Sequence, residues 1–217
     1  MLFLYLYFIK DMNCLKRFFK INERPNGESL KKFLIVGLGN IGAIYYDTRH
    51  NFGFKVLNSF AEEYDLSFED KRYGQVCSTR FKGKSIILLK PSTLMNLSGK
   101  AVRYWAIKEN IPLQNILAIT DDINLPFGTI RLKPNGSDGG HNGLKDIQAQ
   151  LNTPNYPRIR FGILSNEKGY NTVDFVLGKW SDQELDALQI KVKKTKEQIF
   201  TFVTQGIQEA MNKHNGS

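Results

Sequence analysis

Cysteine and histidine are scarce in this chain of 217 residues, which holds 2 cysteines, Cys14 and Cys77, and 3 histidines. The cysteines lie far apart, and no CxxC pair or Cys/His cluster occurs, so nothing supports a disulfide scaffold or a zinc-finger site. Two isolated thiols fit a reducing compartment, and the cytoplasm is the expected location. A membrane-length apolar run is also missing. The apolar, aromatic stretch Leu2–Ile9 stops at Lys10-Asp11, far short of the about 20 residues that a helix needs to span a bilayer. It lacks the basic lead and small-residue cleavage site of a secretory signal. No G-x-S-x-G elbow nominates a serine nucleophile. Acidic residues are the minority charge, 21 against 30 basic, which leaves the chain at +9. A polyanion such as nucleic acid is the natural partner of such a balance, with a merely basic enzyme as the alternative.

The remaining composition is that of a globular protein, with 41% apolar and 24% charged residues, and excludes collagen-like, mucin-like and wholly disordered chains. The length suits one domain. Residues 1–30 end in the turn-rich Arg24-Pro25-Asn26-Gly27-Glu28-Ser29 and read as an appendage, or as a start-site artefact with Met12 or a later position as the true start. The domain is expected over 31–213, with 214–217 as a tail. It carries +7 of the net charge, because residues 1–30 hold 5 basic and 3 acidic groups.

Short apolar runs predict strands at Lys32–Gly37, Tyr73–Phe81, Ser85–Leu89, Asn115–Thr120, Phe127–Leu132 and Arg158–Leu164. Helical spacing predicts helices over 52–64, from Leu97 to about Asn110, over Gly143–Leu151, and along a final stripe of Leu185, Leu188, Val192, Ile199 and Val203. Lys191, Lys194 and Lys196 fall largely off that stripe. Interleaved strands and helices give an α/β single domain with a mixed, twisted sheet flanked by helices.

Five segments carry chemistry. Gly37-Leu38-Gly39-Asn40-Ile41-Gly42 follows a strand and fits the dinucleotide fingerprint. That fingerprint needs a helix at its last glycine, and Ala43–Asn51 is a poor amphipathic helix. The glycines more simply allow close backbone approach or positive φ. In Thr48-Arg49-His50-Asn51, His50 is either a cap or surface residue or a base that accepts a proton near neutral pH. In Thr120-Asp121-Asp122, a carboxylate at a strand end can orient a histidine, cap a turn or join a metal site, although no histidine or third acid adjoins it. Asn96 precedes a helix, where it either caps or grips a peptide-like group. The glycine-rich loop Lys133–Gly143 feeds a helix N-terminus, bracketed by Arg131, Lys133, Lys145, Arg158 and Arg160. It reads as an anion or backbone site, or as a solvated charged face.

In their order, Phe33–Phe54, Lys90–Val102, Thr120–Gly128, Gly139–Ile147, Arg158–Gly162 and Asp174-Phe175-Val176-Leu177-Gly178-Lys179 resemble bacterial-type peptidyl-tRNA hydrolases over residues 33–211. The resemblance implies cleavage of the ester between a peptide and the 3′ ribose of tRNA, which recycles the tRNA. It implies His50 as the general base that activates water, Asp121 as its orienting group and Asn40 beside them. Asn96 and Asn142 would bond the peptide main chain, Tyr45 would pack near the terminal ribose and adenine, and Lys133 and Arg160 would clamp the 5′ phosphate. It further implies a monomer without metal or cofactor. Two positions depart from the pattern: Ile41 replaces a frequent proline, and Asp138 adds a negative charge expected to weaken RNA docking slightly. A non-catalytic RNA-binding relative and a nicotinamide oxidoreductase are the competing readings. The first has no need of the His50, Asp121 and asparagine constellation, and the second rests on three glycines alone.

Overall fold

The run Lys32–Gly37 forms strand β1 at the heart of the sheet, because five of its six residues are buried. In this computed structural model, residues 30–164 and 171–215 are described. The appendage read at 1–30 lies outside them except for its last residue, and Cys14 lies outside with it. Strand β1 pairs in parallel with β4 (Lys84–Pro91) and β5 (Ile116–Pro126), and β5 pairs in parallel with β7 (Arg158–Leu164). Antiparallel neighbours close both edges: β2 (Glu69–Lys71) and β3 (Gly74–Phe81) on one side, β6 (Ile130–Lys133) on the other. The mixed seven-stranded order is β2-β3-β4-β1-β5-β7-β6.

Buried parallel strands need cover on both faces. Phe33 and Ile35 of β1 point into one core with α1 (Phe52–Glu63) and α5 (Asp182–Gln205). Leu34 and Val36 point into the other, with α2 (Ser98–Lys108) and α3 (Asn142–Leu151). Two short helices, α4 (Thr172–Leu177) and α6 (Ile207–His214), complete the fold. Among the described residues no helix is long and apolar enough to cross a membrane. Cys77 is buried in β3, and burial pushes its thiol up to about 11 against the pull of Lys90, which keeps it protonated and inert.

The fold departs from the sequence pattern in four places. Strand β5 runs past Thr120, because Asp121 and Asp122 stay in register with Phe161 and Gly162 of β7. Strand β6 starts only at Ile130, since Gly128 turns at φ 80° and the Thr129 amide closes on the Pro126 carbonyl. The short elements β2, α4 and α6 lack the long apolar period that marks the others. Lys196 is buried rather than outward: its ammonium reaches the Ser59 hydroxyl at 3.0 Å and pairs with Glu63.

Backbone crowding sets the junction where β1 hands over to α1. A Cβ on Gly37 would lie 2.3 Å from the Gly53 carbonyl oxygen, and one on Gly53 would lie 2.3 Å from the Leu38 amide. Glycine is needed here for packing of chain on chain. Gly53→Ala should therefore cost about 3 kcal/mol, as overpacking against rigid backbone does. Urea unfolding checks this, and an unchanged midpoint would contradict it.

Candidate active site

The sequence after β1 is too irregular for a helix and instead forms two 3₁₀ turns, Ala43–Tyr45 and Arg49–Asn51. Helix α1 begins only at Phe52. Only a single 3₁₀ turn opens at Gly42, where a dinucleotide fingerprint would require an α-helix. Gly42 itself takes φ 109°, so it supplies a turn.

The second turn carries His50. Its Nδ1 lies 3.0 Å from each carboxylate oxygen of Asp121, which is 2% exposed near the middle of β5. A second imidazole closes on the same carboxylate: His141 Nε2 is 3.1 Å from Asp121 Oδ1. His141 is the N-cap of α3, and its Nδ1 accepts from the amides of Gly143 at 3.1 Å and Leu144 at 3.3 Å. An accepting Nδ1 puts the ring proton of His141 on Nε2, which donates to Asp121. Asp121 likewise takes the Nδ1 proton of His50, leaving His50 Nε2 as the basic lone pair of the cleft.

The electrostatics follow from this geometry. Burial alone would raise the Asp121 pKa, but His50 and His141 hold its carboxyl well below the usual carboxylate range. Burial lowers the His50 pKa, yet the Asp121 charge and hydrogen bond outweigh it, so the net shift is upward. One ligand atom from each of His50, His141 and Asp121 lies within 4.8 Å of the others, but a metal ion bound there through His50 Nδ1 and His141 Nε2 would have to displace the ring protons that bond Asp121. No histidine neighbours Asp121 in sequence, and the fold brings two to it. The 3.0–3.1 Å contacts are ordinary hydrogen-bond lengths, and each has an N–H to account for it.

Asparagines tie the surrounding loops together. The Asn51 amide bonds both the Asn40 N–H, at 2.8 Å, and the Asn40 carbonyl, at 2.9 Å. The Asn40 side-chain oxygen accepts from the Met95 amide at 2.7 Å, which leaves its Nδ2 to donate to a ligand. Asn96 sits in the turn Met95–Leu97, exposed, and does not cap: α2 has Leu97 at its N-cap without a side-chain bond. Asn142 is the exposed first residue of α3, whose cap is His141. Tyr45 is half-buried, with its carbonyl accepting from the Thr48 amide and hydroxyl.

The cleft is lined by His50, Asp121, His141, Asn142 and Arg160, with Thr172, Val173 and Val176 of α4 on one wall. Arg49 fixes that wall. Its guanidinium grips Glu184 through Nε and Nη2, bonds the Phe175 carbonyl and lies 4.4 Å from the Phe175 ring centroid. Arg160 is ion-paired with Asp122. Lys133 shares its sheet face but lies opposite Arg158, while Arg160 lies opposite Arg131. The structure thus places Arg160 in the cleft and Lys133 further along the β6 edge. Arg158 is fully buried, and its guanidinium holds the Gly136 carbonyl at 2.7 Å. That makes it a structural tether of the glycine loop. Asp138 shapes the same loop by accepting from the Gly140 amide at 2.9 Å. His141 escaped the sequence reading as a site residue. Its signal was present, as one of only 3 histidines, set between two glycines and a predicted helix.

Fold and site together define an α/β protein with a buried histidine–carboxylate centre at the floor of a cleft. The sequence model for peptidyl-tRNA hydrolase matches residues 34–217. Peptidyl-tRNA hydrolase of Phocaeicola vulgatus is 52% identical over 184 residues, covering 85% of this chain and 98% of the relative. That of Porphyromonas gingivalis is 50% identical over 184 residues and is covered in full. The crystal structure of peptidyl-tRNA hydrolase from Acinetobacter baumannii superposes with a TM-score of 0.80 at 32% identity, over 88% of this chain and 98% of that one. The chain belongs to the peptidyl-tRNA hydrolase family.

The two opposing influences on His50 give a signed expectation. Its imidazole should titrate above its ordinary 6.5 in the intact protein. In Asp121→Asn the raising charge is gone while burial still lowers the pKa, so the midpoint should fall below the ordinary value. Following the His50 ring protons by NMR against pH tests this, and a wild-type midpoint at or below 6.5 would refute it.

Proposed function

We propose that this protein hydrolyses the ester joining a peptide to the 3′ ribose of tRNA, releasing free peptide and reusable tRNA. The observation that carries the reading is the His50–Asp121–His141 cluster, with His50 Nε2 turned to a cleft and both other contacts to Asp121 already made. In the proposed reaction His50 Nε2 accepts a proton as a water oxygen adds to the ester carbonyl carbon. The tetrahedral adduct collapses, the carbon–oxygen bond to the ribose breaks, and the proton passes from His50 to the departing 3′ oxygen. Asp121 keeps Nδ1 of His50 protonated and balances the imidazolium. His141 holds Asp121 from the other side, so the carboxylate cannot turn away.

Asn40 Nδ2 is the donor proposed for the ester oxygen or the attacking water. The exposed amides of Asn96 and Asn142 suit a substrate read by its main chain, because each offers donor and acceptor together. Lys133 and Arg160 are proposed to meet the 5′ phosphate and Tyr45 the terminal adenosine. The basic domain, +7 over 31–217 by the counts above, fits a polyanionic substrate. The proposed working form is a cytoplasmic monomer without a cofactor, consisting of one domain over 31–213 with 1–30 as an appendage.

The decisive experiment is release of an N-acetylated amino acid from tRNA, with free aminoacyl-tRNA as control. His50→Ala should lose about 10³-fold or more in turnover, the scale of a lost general base. Asp121→Asn should lose a comparable factor. Near-normal turnover by well-folded His50→Ala would remove the base from the mechanism. A folded wild type that binds tRNA without cleaving the ester would leave an RNA-binding protein instead.

A further inference from the structure

Beyond the cleft, a groove on the α2/α3 face is lined by Arg72, Tyr73, Lys100, Arg103, Tyr104, Ile107, Lys108 and Gln150, and contains no acidic residue. Some described cations elsewhere have carboxylate partners, as in Lys32–Glu109, Lys55–Asp47 and Arg160–Asp122. The four cations of the groove have none among the described residues. Two of them, Arg72 and Lys108, lie against aromatic rings instead. The Arg72 guanidinium lies 5.0 Å from the Tyr73 ring centroid and 5.1 Å from that of Tyr104. The Lys108 ammonium lies 4.4 Å from the Trp105 ring. Rings hold a cation by their π faces without neutralising it, so the groove keeps its positive charge.

The groove is also rigidly made. Tyr73 occupies left-handed backbone at φ 64° in the turn between β2 and β3. That turn is pinned twice: the Trp105 indole donates to the Arg72 carbonyl at 3.0 Å, and the Ser92 amide donates to that of Tyr73 at 2.9 Å.

Its position relative to the cleft identifies the occupant. Helices α2 and α3 run side by side, since the Gly99 amide donates to Asp146 at 2.6 Å and Gln150 meets the groove residues of α2. Helix α3 begins at the cleft with Asn142, and α2 runs alongside it away from there. At 1.5 Å per residue, Gln150 stands about 12 Å beyond Asn142. An extended peptide covers that distance in about four residues. Lys133 and Arg160, the residues proposed for tRNA phosphate, lie on the β6–β7 edge. The Arg72–Tyr73 turn is at the other end of the sheet, about 19 Å across four strand spacings from β3 to β7.

We propose that the groove is a distal subsite for acidic side chains of the peptide, beginning about four residues upstream of the ester. The inference rests on Asn96 and Asn142 holding the peptide main chain as proposed above. Ile107, 64% exposed between the cations, offers an apolar contact to the stems of such side chains. The enzyme would then accept any residue next to the ester and still favour acidic peptides over basic ones further along.

The test uses three substrates on one tRNA: a hexapeptide with Glu at the three residues farthest from the ester, the same peptide with Lys there, and an N-acetylated amino acid that ends before the groove. Wild type should show kcat/KM about tenfold higher for the Glu than the Lys hexapeptide, the scale of two or three exposed ion pairs. The double variant Arg103→Glu/Lys108→Glu should reverse that preference and leave the acetylated amino acid substrate at the wild-type rate. Equal kcat/KM of the two hexapeptides in wild type would overturn the proposal without any variant. An equal loss on all three substrates in the double variant would also overturn it, and would assign the groove to tRNA. Wild type that cleaves none of the three would fail the esterase reading itself, a result distinct from either.

Discussion

A carboxylate buried to 2% exposure must be paired, and Asp121 is the group around which this molecule is arranged. An unpaired charge there would be among the costliest features a fold can carry. Two imidazole N–H groups meet it, from parts of the chain that share no local structure. One comes from a 3₁₀ turn behind β1, the other from the first turn of α3. Strand β5 must extend past its apolar run to deliver the carboxylate, and its pairing with β7 makes that extension hold. The same arrangement that satisfies the buried charge orients His50 and raises its basicity. Stability and chemistry here have one cause.

The loops around that carboxylate are positioned by backbone as much as by side chains. Gly37 and Gly53 let β1 and α1 touch main chain to main chain, which places the His50 turn over the end of the sheet. Asn51 then fixes the Asn40 peptide unit, and the Asn40 side chain fixes Met95. Three loops are thereby joined through two amides. The exposed asparagines at the starts of α2 and α3 are held at fixed places, and among the described residues their side-chain amides have no hydrogen-bond partner.

Much of this was legible in the chain. Lys32–Gly37, Arg158–Leu164 and the hairpin at Lys82-Gly83 announced themselves by apolar runs and turn residues, and the hairpin turn takes φ 44° and 71° at those two positions. The family's motifs nominated His50, Asp121 and the asparagines, and the fold brings His50, Asp121 and Asn142 to one cleft. What was not legible depends on through-space partners. Asp121 and Asp122 look like a strand end until β7 pairs with them. Lys196 looks solvated until Glu63 and Ser59 arrive from α1. His141 binds a carboxylate 20 residues away in sequence, and no local pattern encodes that pairing. Arg158 looks like a member of a basic surface, yet stacking on Tyr156 and bonds to carbonyls bury it completely.

Glu184 carries a consequence for how the molecule breathes. Its carboxylate closes the capping box of α5 with the Ser181 amide at 2.7 Å and also receives the Arg49 guanidinium. Arg49 in turn holds α4, one wall of the cleft, and directly precedes His50. Fraying of the 24-residue helix α5 at its first turn would remove one anchor of Arg49, while its bonds to the Phe175 and Gly178 carbonyls would remain. The first turn of α5 and the wall of the cleft are coupled through one carboxylate. A side chain whose local task is to start a helix thus also steadies the wall of a neighbouring pocket.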